Sequence, residues 1–174
     1  MVLNQNPKII SNLIIRQAST SLSIKSLIAK IHMLSNSSGS KGVVQLFDPE
    51  SILDKSHLIA AYLNALETFN ENNNSSKSMA MEMLLFASFT RQIDRAVMFA
   101  GAKDSKLFIF FSNSKQLYRK IKPLLNTDSD FIPNIDHIVK YAKKLGINIS
   151  KTQDSMETAH MLLFQKIAVS KIKD

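Results

Sequence analysis

The sequence predicts a single-domain α+β protein with a mixed or antiparallel central β-sheet flanked by several α-helices. The chain has 174 residues, of which 45% are hydrophobic and 21% are charged, so its length and composition suit one folded domain with a substantial core. Short apolar runs bounded by turn-forming residues alternate with longer amphipathic stretches, a pattern that predicts strands interspersed with helices. Because the sequence has no internal repeat and no recognisable linker, we expect residues 1–174 to form one domain.

Residues 78–111 are predicted to form the centre of the fold as a strand, a turn, a helix and a second strand. Over residues 79–86, methionine and leucine alternate with other residues, which predicts a strand buried on at least one face. Residues 106–111 (KLFIFF) are too apolar for a surface and too few for a helix, so they predict a central strand. The rest of the protein is expected to pack on this stretch.

The helix predicted between these two strands follows a short polar turn. Ser88 or Thr90 can act as its N-cap by accepting a backbone N–H bond. Ile93, Val97 and Ala100 fall on one helical face, which predicts that this face packs on the core. Gly101 stands where a helix commonly ends in the left-handed conformation.

The other predicted elements flank this centre. In chain order they are a strand at residues 8–17, a helix after possible caps at 19–23, a strand at 43–47, a helix at 51–69, a helix starting at 112–114, a helix around 135–142 that stops at Gly146, and a final helix at 154–171. The polar tract at residues 70–77 is predicted to be a connector, and residues 127–130 (TDSD) are predicted to be a loop.

The charge balance is strongly basic, with a formal net charge of +8 and a pI of about 9.7. Such an excess favours polyanionic partners through counterion release, although a solvated surface that keeps the protein soluble is the alternative. No apolar run approaches the roughly 20 residues needed to span a bilayer, and no signal-peptide pattern is present. We therefore expect a cytoplasmic protein without a membrane partner.

The sequence gives little support to an enzyme active site. It has no cysteine, no glycine-rich phosphate loop and no nucleophile elbow, so we expect no metal and no cofactor. The four histidines, which lack metal-binding spacing, are His32, His57, His137 and His160. A small-molecule enzyme that uses His57 or His160 as a base is the alternative, and a cleft placing either one beside a carboxylate would favour it.

Two arginines near the start of the central helix are candidate contacts for nucleic acid. Arg91 and Arg95 are four residues apart, so on a helix they project from one side, opposite the predicted core face. Gln92 is adjacent, and Lys77 closes the polar connector. These side chains are suited to contact phosphate or a nucleotide edge. Alternatively they are surface residues, with one arginine paired to a nearby carboxylate.

The last helix carries more apolar residues than one docking face requires. Its apolar positions are Met156, Ala159, Leu162, Leu163, Phe164, Ile167, Ala168 and Val169. The surplus indicates either a partner surface of the helix-packing type or a helix that is buried on two sides.

Residues 81–101 carry a family motif. They begin with MEMLLFAS, continue with RQI at 91–93 and Ala96, and end with Gly101. This order resembles the pattern E-x-L-L-Y-A-S-G-x-R-Q-I-x-x-A-I-x-x-x-G, which is typical of the kinase-binding subunit of the KEOPS complex, the TPRKB family. The segment HLIAA at 57–61 is also similar to the histidine-led helix of that family.

The resemblance implies a small non-catalytic subunit of the complex that makes threonylcarbamoyladenosine in tRNA. Such a subunit binds the small atypical kinase/ATPase of KEOPS and recruits tRNA, including its 3′ CCA end, with no cofactor and no small-molecule substrate. The implied tRNA-binding residues are Lys77, Ser88, Arg91, Gln92 and Arg95. The implied kinase-binding residues are His160, Leu163, Phe164 and Ile167. A generic basic RNA-binding domain without a kinase partner is the alternative function.

The sequence departs from the family pattern at two positions. Phe89 stands where the family has glycine, and Phe86 replaces the tyrosine. If that glycine requires a positive φ, Phe89 is expected to turn differently and to reshape the loop next to Arg91.

Overall fold

A computed structural model of the protein describes residues 7–37, 42–104, 106–146 and 155–170. Helices and a four-stranded sheet make up most of this part of the chain, which confirms the predicted α+β class. None of the helices in these ranges is both long and apolar enough to cross a membrane.

The elements carry the following bounds. In chain order they are α1 (Pro7–Ile10), β1 (Ile14–Ser19), α2 (Ile24–Ser37), β2 (Val44–Phe47), α3 (Lys55–Asn70), α4 (Met79–Ala87), α5 (Ile93–Ala100), β3 (Phe108–Ser112), α6 (Lys115–Ile121), β4 (Thr127–Asp130), α7 (Ile135–Lys144) and α8 (Ser155–Ser170), with 3-10 turns at Pro49–Ser51 and Lys122–Leu124.

The chain divides into two compact units. Unit 1 comprises residues 1–49 and 101–131 and contains the sheet, whereas unit 2 comprises residues 50–100 and 132–174 and contains α3, α4, α5, α7 and α8. That the whole chain acts as one domain stays a prediction.

The strands of unit 1 form an antiparallel sheet in the order β2-β3-β1-β4. Phe111 of β3 lies opposite Ile15 of β1 on one side and opposite Gln45 of β2 on the other. All five residues of β3 are buried. The central strand predicted from the KLFIFF run is therefore confirmed.

Helices α2 and α6 pack side by side on one face of this sheet. The backbone N–H of Ser26 donates to Ser23 Oγ at 3.1 Å, and that of Leu117 donates to Ser114 Oγ at 3.2 Å, so a serine caps each helix start. The helices and strands share one apolar cluster, formed by Ala18, Leu27, Ile31, Leu46, Phe108, Phe110, Leu117 and Ile121.

Two predictions for unit 1 are wrong. Residues 8–10 belong to a helical turn and not to the first strand. Residues 127–130 form the edge strand β4 and not a loop. Because β4 has no apolar residue, its strand character is invisible in the hydrophobic pattern. It is held by the guanidinium of Arg16 on β1, which donates to the carboxylates of Asp128 and Asp130 at 2.7 Å each.

In unit 2, α3 begins at Lys55 and not at residue 51 because Asp54 caps it. The Asp54 carboxylate accepts the backbone N–H of His57 at 3.0 Å, and residues Pro49–Ser51 form a separate 3-10 turn. The helix otherwise matches its prediction, as do α7 and α8. Gly146, just beyond α7, has a φ of 75°, the left-handed conformation expected after a helix.

The strand predicted at residues 79–86 is wrong, because these residues belong to the helix α4. All residues from Glu82 to Ala87 on this helix are buried. A helix that is buried on nearly all sides has no 3.6-residue periodicity in its hydrophobicity, so the alternating methionines imitate a strand.

The end of α4 is a left-handed turn at Phe89, whose φ is 53°. The backbone N–H of Phe89 donates to the carbonyl of Phe86 at 3.3 Å, and that of Thr90 donates to the carbonyl of Leu85 at 3.2 Å. This pair of bonds is the Schellman arrangement, in which the left-handed position usually holds glycine. Phe89 thus adopts the conformation that glycine would permit, and the expectation that it turns differently is wrong.

Aromatic stacking accompanies this strained backbone. The ring of Phe89 lies parallel to that of His57, with the centroids 5.5 Å apart and the planes at 4°. A left-handed non-glycine residue costs roughly 1–2 kcal/mol, and a stacked pair contributes about 0.5–1.5 kcal/mol beyond its area burial. The stack therefore offsets much of the strain.

The predicted core face of α5 is right for Ala100 and wrong for Ile93 and Val97. Ile93 and Val97 are each 46% exposed, whereas Ala96 and Ala100 are fully buried. Small side chains let α5 lie close to α4, so the bulkier residues are left at the flank. Gly101 does not take the left-handed conformation and forms an isolated β-bridge.

Replacing Phe89 by glycine and by alanine separates the backbone strain from the ring stack. Both variants lose the ring, but only alanine keeps a Cβ in the left-handed conformation. We expect the Phe89→Gly variant to be more stable than Phe89→Ala by about 1 kcal/mol. Urea unfolding of the two variants measures this difference, and equal stabilities would contradict the left-handed turn.

Candidate functional site

The predicted tRNA-binding residues all lie in unit 2, with Lys77 just before α4 and the others between α4 and the first turns of α5. Lys77, Arg91, Gln92 and Arg95 are exposed to solvent. Ser88 is 8% exposed, and its hydroxyl donates to the carbonyls of Leu84 and Leu85. Ser88 therefore serves to close α4, and the four exposed residues are available to a ligand.

A buried carboxylate positions the connector next to these residues. Glu82 of α4 is 3% exposed, and its Oε2 accepts the backbone N–H groups of Ser75 and Ser76 at 2.9 and 2.7 Å. The guanidinium of Arg91 in turn lies 3.4 Å from Ser75 Oγ. Glu82 thus fixes the last residues of the connector beside Arg91.

A small depression opens at this place. It has a volume of about 10 Å³ and is lined by Ser75, Glu82, Leu85, Phe86, Thr90 and Arg91. A volume of this size holds about one water molecule and no metabolite. The feature at this edge is therefore the exposed cations and not an enclosed binding pocket.

The two arginines differ from their predicted placement. The helix α5 begins at Ile93, so Arg91 precedes the helix and only Arg95 lies on it. Thr90 Oγ1 accepts the backbone N–H of Gln92 at 3.2 Å, which supports the turn that carries Arg91. Among the described residues, Arg95 has no ion-pair partner, so the alternative of a pairing with the adjacent carboxylate is not supported for this arginine.

The implied kinase-binding residues lie on α8. His160 Nε2 is 2.5 Å from Asp54 Oδ2 and 3.2 Å from Ser56 Oγ, so this histidine joins α8 to the N-terminus of α3. Leu163 is 1% exposed and belongs to the core, which removes it from a partner surface. The side chains of Phe164 and Ile167 lie outside the described part of the structure.

The outer face of α8 carries a residue that the sequence prediction missed. Met161 is 56% exposed, and Glu157 and Gln165, one turn before and after it, are exposed as well. The sequence signal for an exposed Met161 was the polar residue four positions before it and the one four positions after it, since residues four apart share one helical face.

His57 and His160 both contact the polar residues around Asp54. Ser56 Oγ donates to Asp54 Oδ1 at 2.7 Å, and both Ser56 and Asp54 meet the same nitrogen of His160. In a serine–histidine–aspartate relay, the serine and the aspartate contact different nitrogens of the histidine ring. This group therefore lacks the geometry of an activated nucleophile. Neither His57 nor His160 lines the small depression.

The protonation states agree with this interpretation. Burial raises the pKa of the Asp54 carboxyl, but the hydrogen bonds from Ser56, His160 and the His57 backbone outweigh it and hold that pKa below its usual value. Burial lowers the pKa of the fully buried His57 to about 4. The neutral His57 accepts the backbone N–H of Leu53 at Nδ1, 3.1 Å away.

No group of three metal-binding side chains occurs among the described residues.

Comparison with known proteins identifies the family of the chain. The family model of kinase binding protein CGI-121 matches residues 15–169. None of the curated proteins matches the chain. The class that the match defines is that of kinase-binding proteins. The chain belongs to the CGI-121 kinase-binding family, which confirms the resemblance first found in the motif at residues 81–101.

The buried His57 predicts a pH dependence of stability. The pKa of His57 is 6.5 in the reference state and about 4 in the folded protein, so between these values the unfolded chain binds a proton that the folded chain does not. The contribution of the neutral His57 to the free energy of unfolding is present above pH 6.5 and is lost as pH falls towards 4. We expect a loss of about 2 kcal/mol between pH 7 and pH 5.

The variant His57→Asn tests this origin of the pH dependence, because asparagine can still accept the Leu53 N–H but does not titrate. Urea unfolding at pH 7 and pH 5 should show the loss in the wild type and not in this variant. His32→Asn, at an exposed position, is the matched control. A loss of the same size in His57→Asn would show that another group causes it.

Proposed function

We propose that the protein is a non-catalytic subunit of the KEOPS complex, in which it binds the small atypical kinase/ATPase and recruits tRNA, including the 3′ CCA end, for threonylcarbamoyladenosine formation. The observation that carries this proposal is the kinase-binding family model, which matches residues 15–169. The KEOPS motif at residues 81–101 and the net charge of +8 support the finer statement.

The kinase surface proposed here is the outer face of α8. The buried Leu163 and the contact of His160 with Asp54 attach one side of this helix to unit 2. The opposite side presents Met161, an exposed and adaptable apolar side chain of the kind enriched in protein interfaces. A second apolar surface of unit 2 lies on α5, where Ile93 and Val97 are half-exposed.

Substitution of Met161 by aspartate tests the kinase surface. A buried charge in an apolar contact is expensive, so we expect Met161→Asp to abolish co-purification with the KEOPS kinase and to leave the fold intact, since Met161 is exposed. Met33→Asp in unit 1, at a position 70% exposed, is the matched control. Loss of the kinase with Val97→Asp but not with Met161→Asp would move the contact to α5.

The proposed tRNA surface comprises Lys77, Arg91, Gln92 and Arg95. Two arginines and a lysine attract phosphate, and the first N–H groups of α5 carry the positive end of its dipole. The tether from Arg91 to Ser75 reduces the conformational entropy that this side chain loses when it binds. We propose that the 3′ end of tRNA lies along this edge.

Reversing the charge of both arginines tests the tRNA surface. We expect Arg91→Glu with Arg95→Glu to lower tRNA affinity by about tenfold or more at low salt, since two phosphate contacts and their counterion release are lost. Lys143→Glu with Lys166→Glu changes the net charge equally at two exposed positions of α7 and α8 and serves as the control. Binding is measured with intact tRNA and with tRNA lacking CCA.

Each outcome bears on a separate part of the proposal. Equal affinities of the arginine variant and the lysine control would exclude this edge. Equal affinities for intact and trimmed tRNA would exclude recognition of the CCA end. Equal affinities for tRNA and unrelated RNAs, without co-purification of the kinase, would favour the generic RNA-binding domain.

A further inference from the structure

The positive charge of the protein is concentrated in unit 1. Residues 1–49 and 101–131 contain eleven lysines and arginines but only four acidic residues, which amounts to a net charge of +7. Unit 2 contains eleven basic and ten acidic residues, a net charge of +1. The proposed tRNA edge in unit 2 therefore does not account for the basic character of the chain.

Within unit 1, the outer faces of α2 and α6 carry this excess. The two helices lie side by side on the sheet, and neither contains an acidic residue. Five of their basic side chains are exposed: Lys25, Lys30, Lys115, Arg119 and Lys120. We call this surface the α2–α6 face.

The acidic residues of unit 1 do not neutralise this face. Asp128 and Asp130 bind Arg16, Asp48 binds Lys103 at 2.7 Å, and Asp104 accepts the backbone N–H of residue 106. Among the described residues, none of the five cations of the α2–α6 face has an ion-pair partner. Their charges are therefore available to an external anion.

Helix stability does not explain this arrangement. Arg119 and Lys120 in the last turn of α6 are favoured by the helix dipole. Lys25 and Lys115, however, lie in the first turns of α2 and α6, where the positive end of the helix dipole disfavours a cation and where no acidic residue is present. A face that keeps a cation in the unfavourable first turn of both helices suits a ligand with repeated negative charge.

We propose that the α2–α6 face is a second RNA-binding surface that contacts the phosphate backbone of double-stranded RNA. Lys115 and Arg119 are four residues apart, as are Gln116 and Lys120, so α6 presents two parallel rows of donors. Among the rings on these helices, Tyr118 is half-buried next to Lys122, and only His32 is exposed. A surface without a row of exposed aromatics is suited to phosphates and not to stacked single-stranded bases.

This inference shares with the proposed function the premise that the ligand is RNA, and the probe is chosen to separate the two. A blunt RNA duplex has no CCA end and offers only its backbone and grooves. We expect Lys115→Gln, Arg119→Gln and Lys120→Gln together to weaken duplex binding by about tenfold to 100-fold at low salt and to make the slope of log K against log salt shallower by about 3. Fluorescence anisotropy over a salt series measures both quantities.

The matched control is the triple variant Lys106→Gln, Lys143→Gln and Lys166→Gln, which removes the same charge from exposed positions elsewhere. It should bind the duplex like the wild type. If the α6 triple variant binds like the control variant, or if the wild type does not bind the duplex, the inference is overturned, while tRNA recognition through the arginines keeps its own test. If the α6 variant loses binding to phosphatidylserine vesicles but not to RNA, the face belongs to a lipid surface and the RNA assignment fails.

Discussion

The turn at the end of α4 is the constraint on which the arrangement of unit 2 depends. Two backbone bonds close the helix, from Phe89 to Phe86 and from Thr90 to Leu85, and they require Phe89 to be left-handed. This reversal decides where α5 begins and places Arg91 before the helix, near Ser75. A phenylalanine at this position is an unfavourable choice for the backbone, and its persistence depends on a partner for the ring.

That partner, His57, belongs to a polar framework at the start of α3. Asp54 caps the helix through the His57 backbone and contacts His160 of α8, while the His57 ring contacts Phe89 on one side and Tyr141 of α7 on another. Burial keeps the imidazole neutral, so it packs as an aromatic ring with one polar acceptor. The positions of α3, α4, α7 and α8 therefore depend on residues 54–57. A substitution at these residues is expected to disturb both candidate surfaces of unit 2.

The elements with a strong local pattern were predictable and those defined by tertiary context were not. The apolar run of β3, the cap of α6 at Ser114 and the stop of α7 at Gly146 follow from short-range chemistry. The helix α4 was missed because it is buried on nearly all sides, and β4 was missed because ion pairs with Arg16 hold it. The motif located the candidate edge at the arginines. The α2–α6 face could not be predicted from the sequence, since its basic residues are distant in sequence and become neighbours only when two helices pack on one sheet.

Glu82 divides the connector before α4 into two parts with different tolerance to change. Its carboxylate accepts the backbone of Ser75 and Ser76, so the chain from Ser75 onwards has a fixed register relative to α4. The preceding residues at 70–74 lack this anchor, and loop closure makes a longer segment only slightly less favourable. A change of length before Ser75 is therefore expected to leave Arg91 in place, whereas an insertion between Ser75 and Glu82 would displace the candidate tRNA edge.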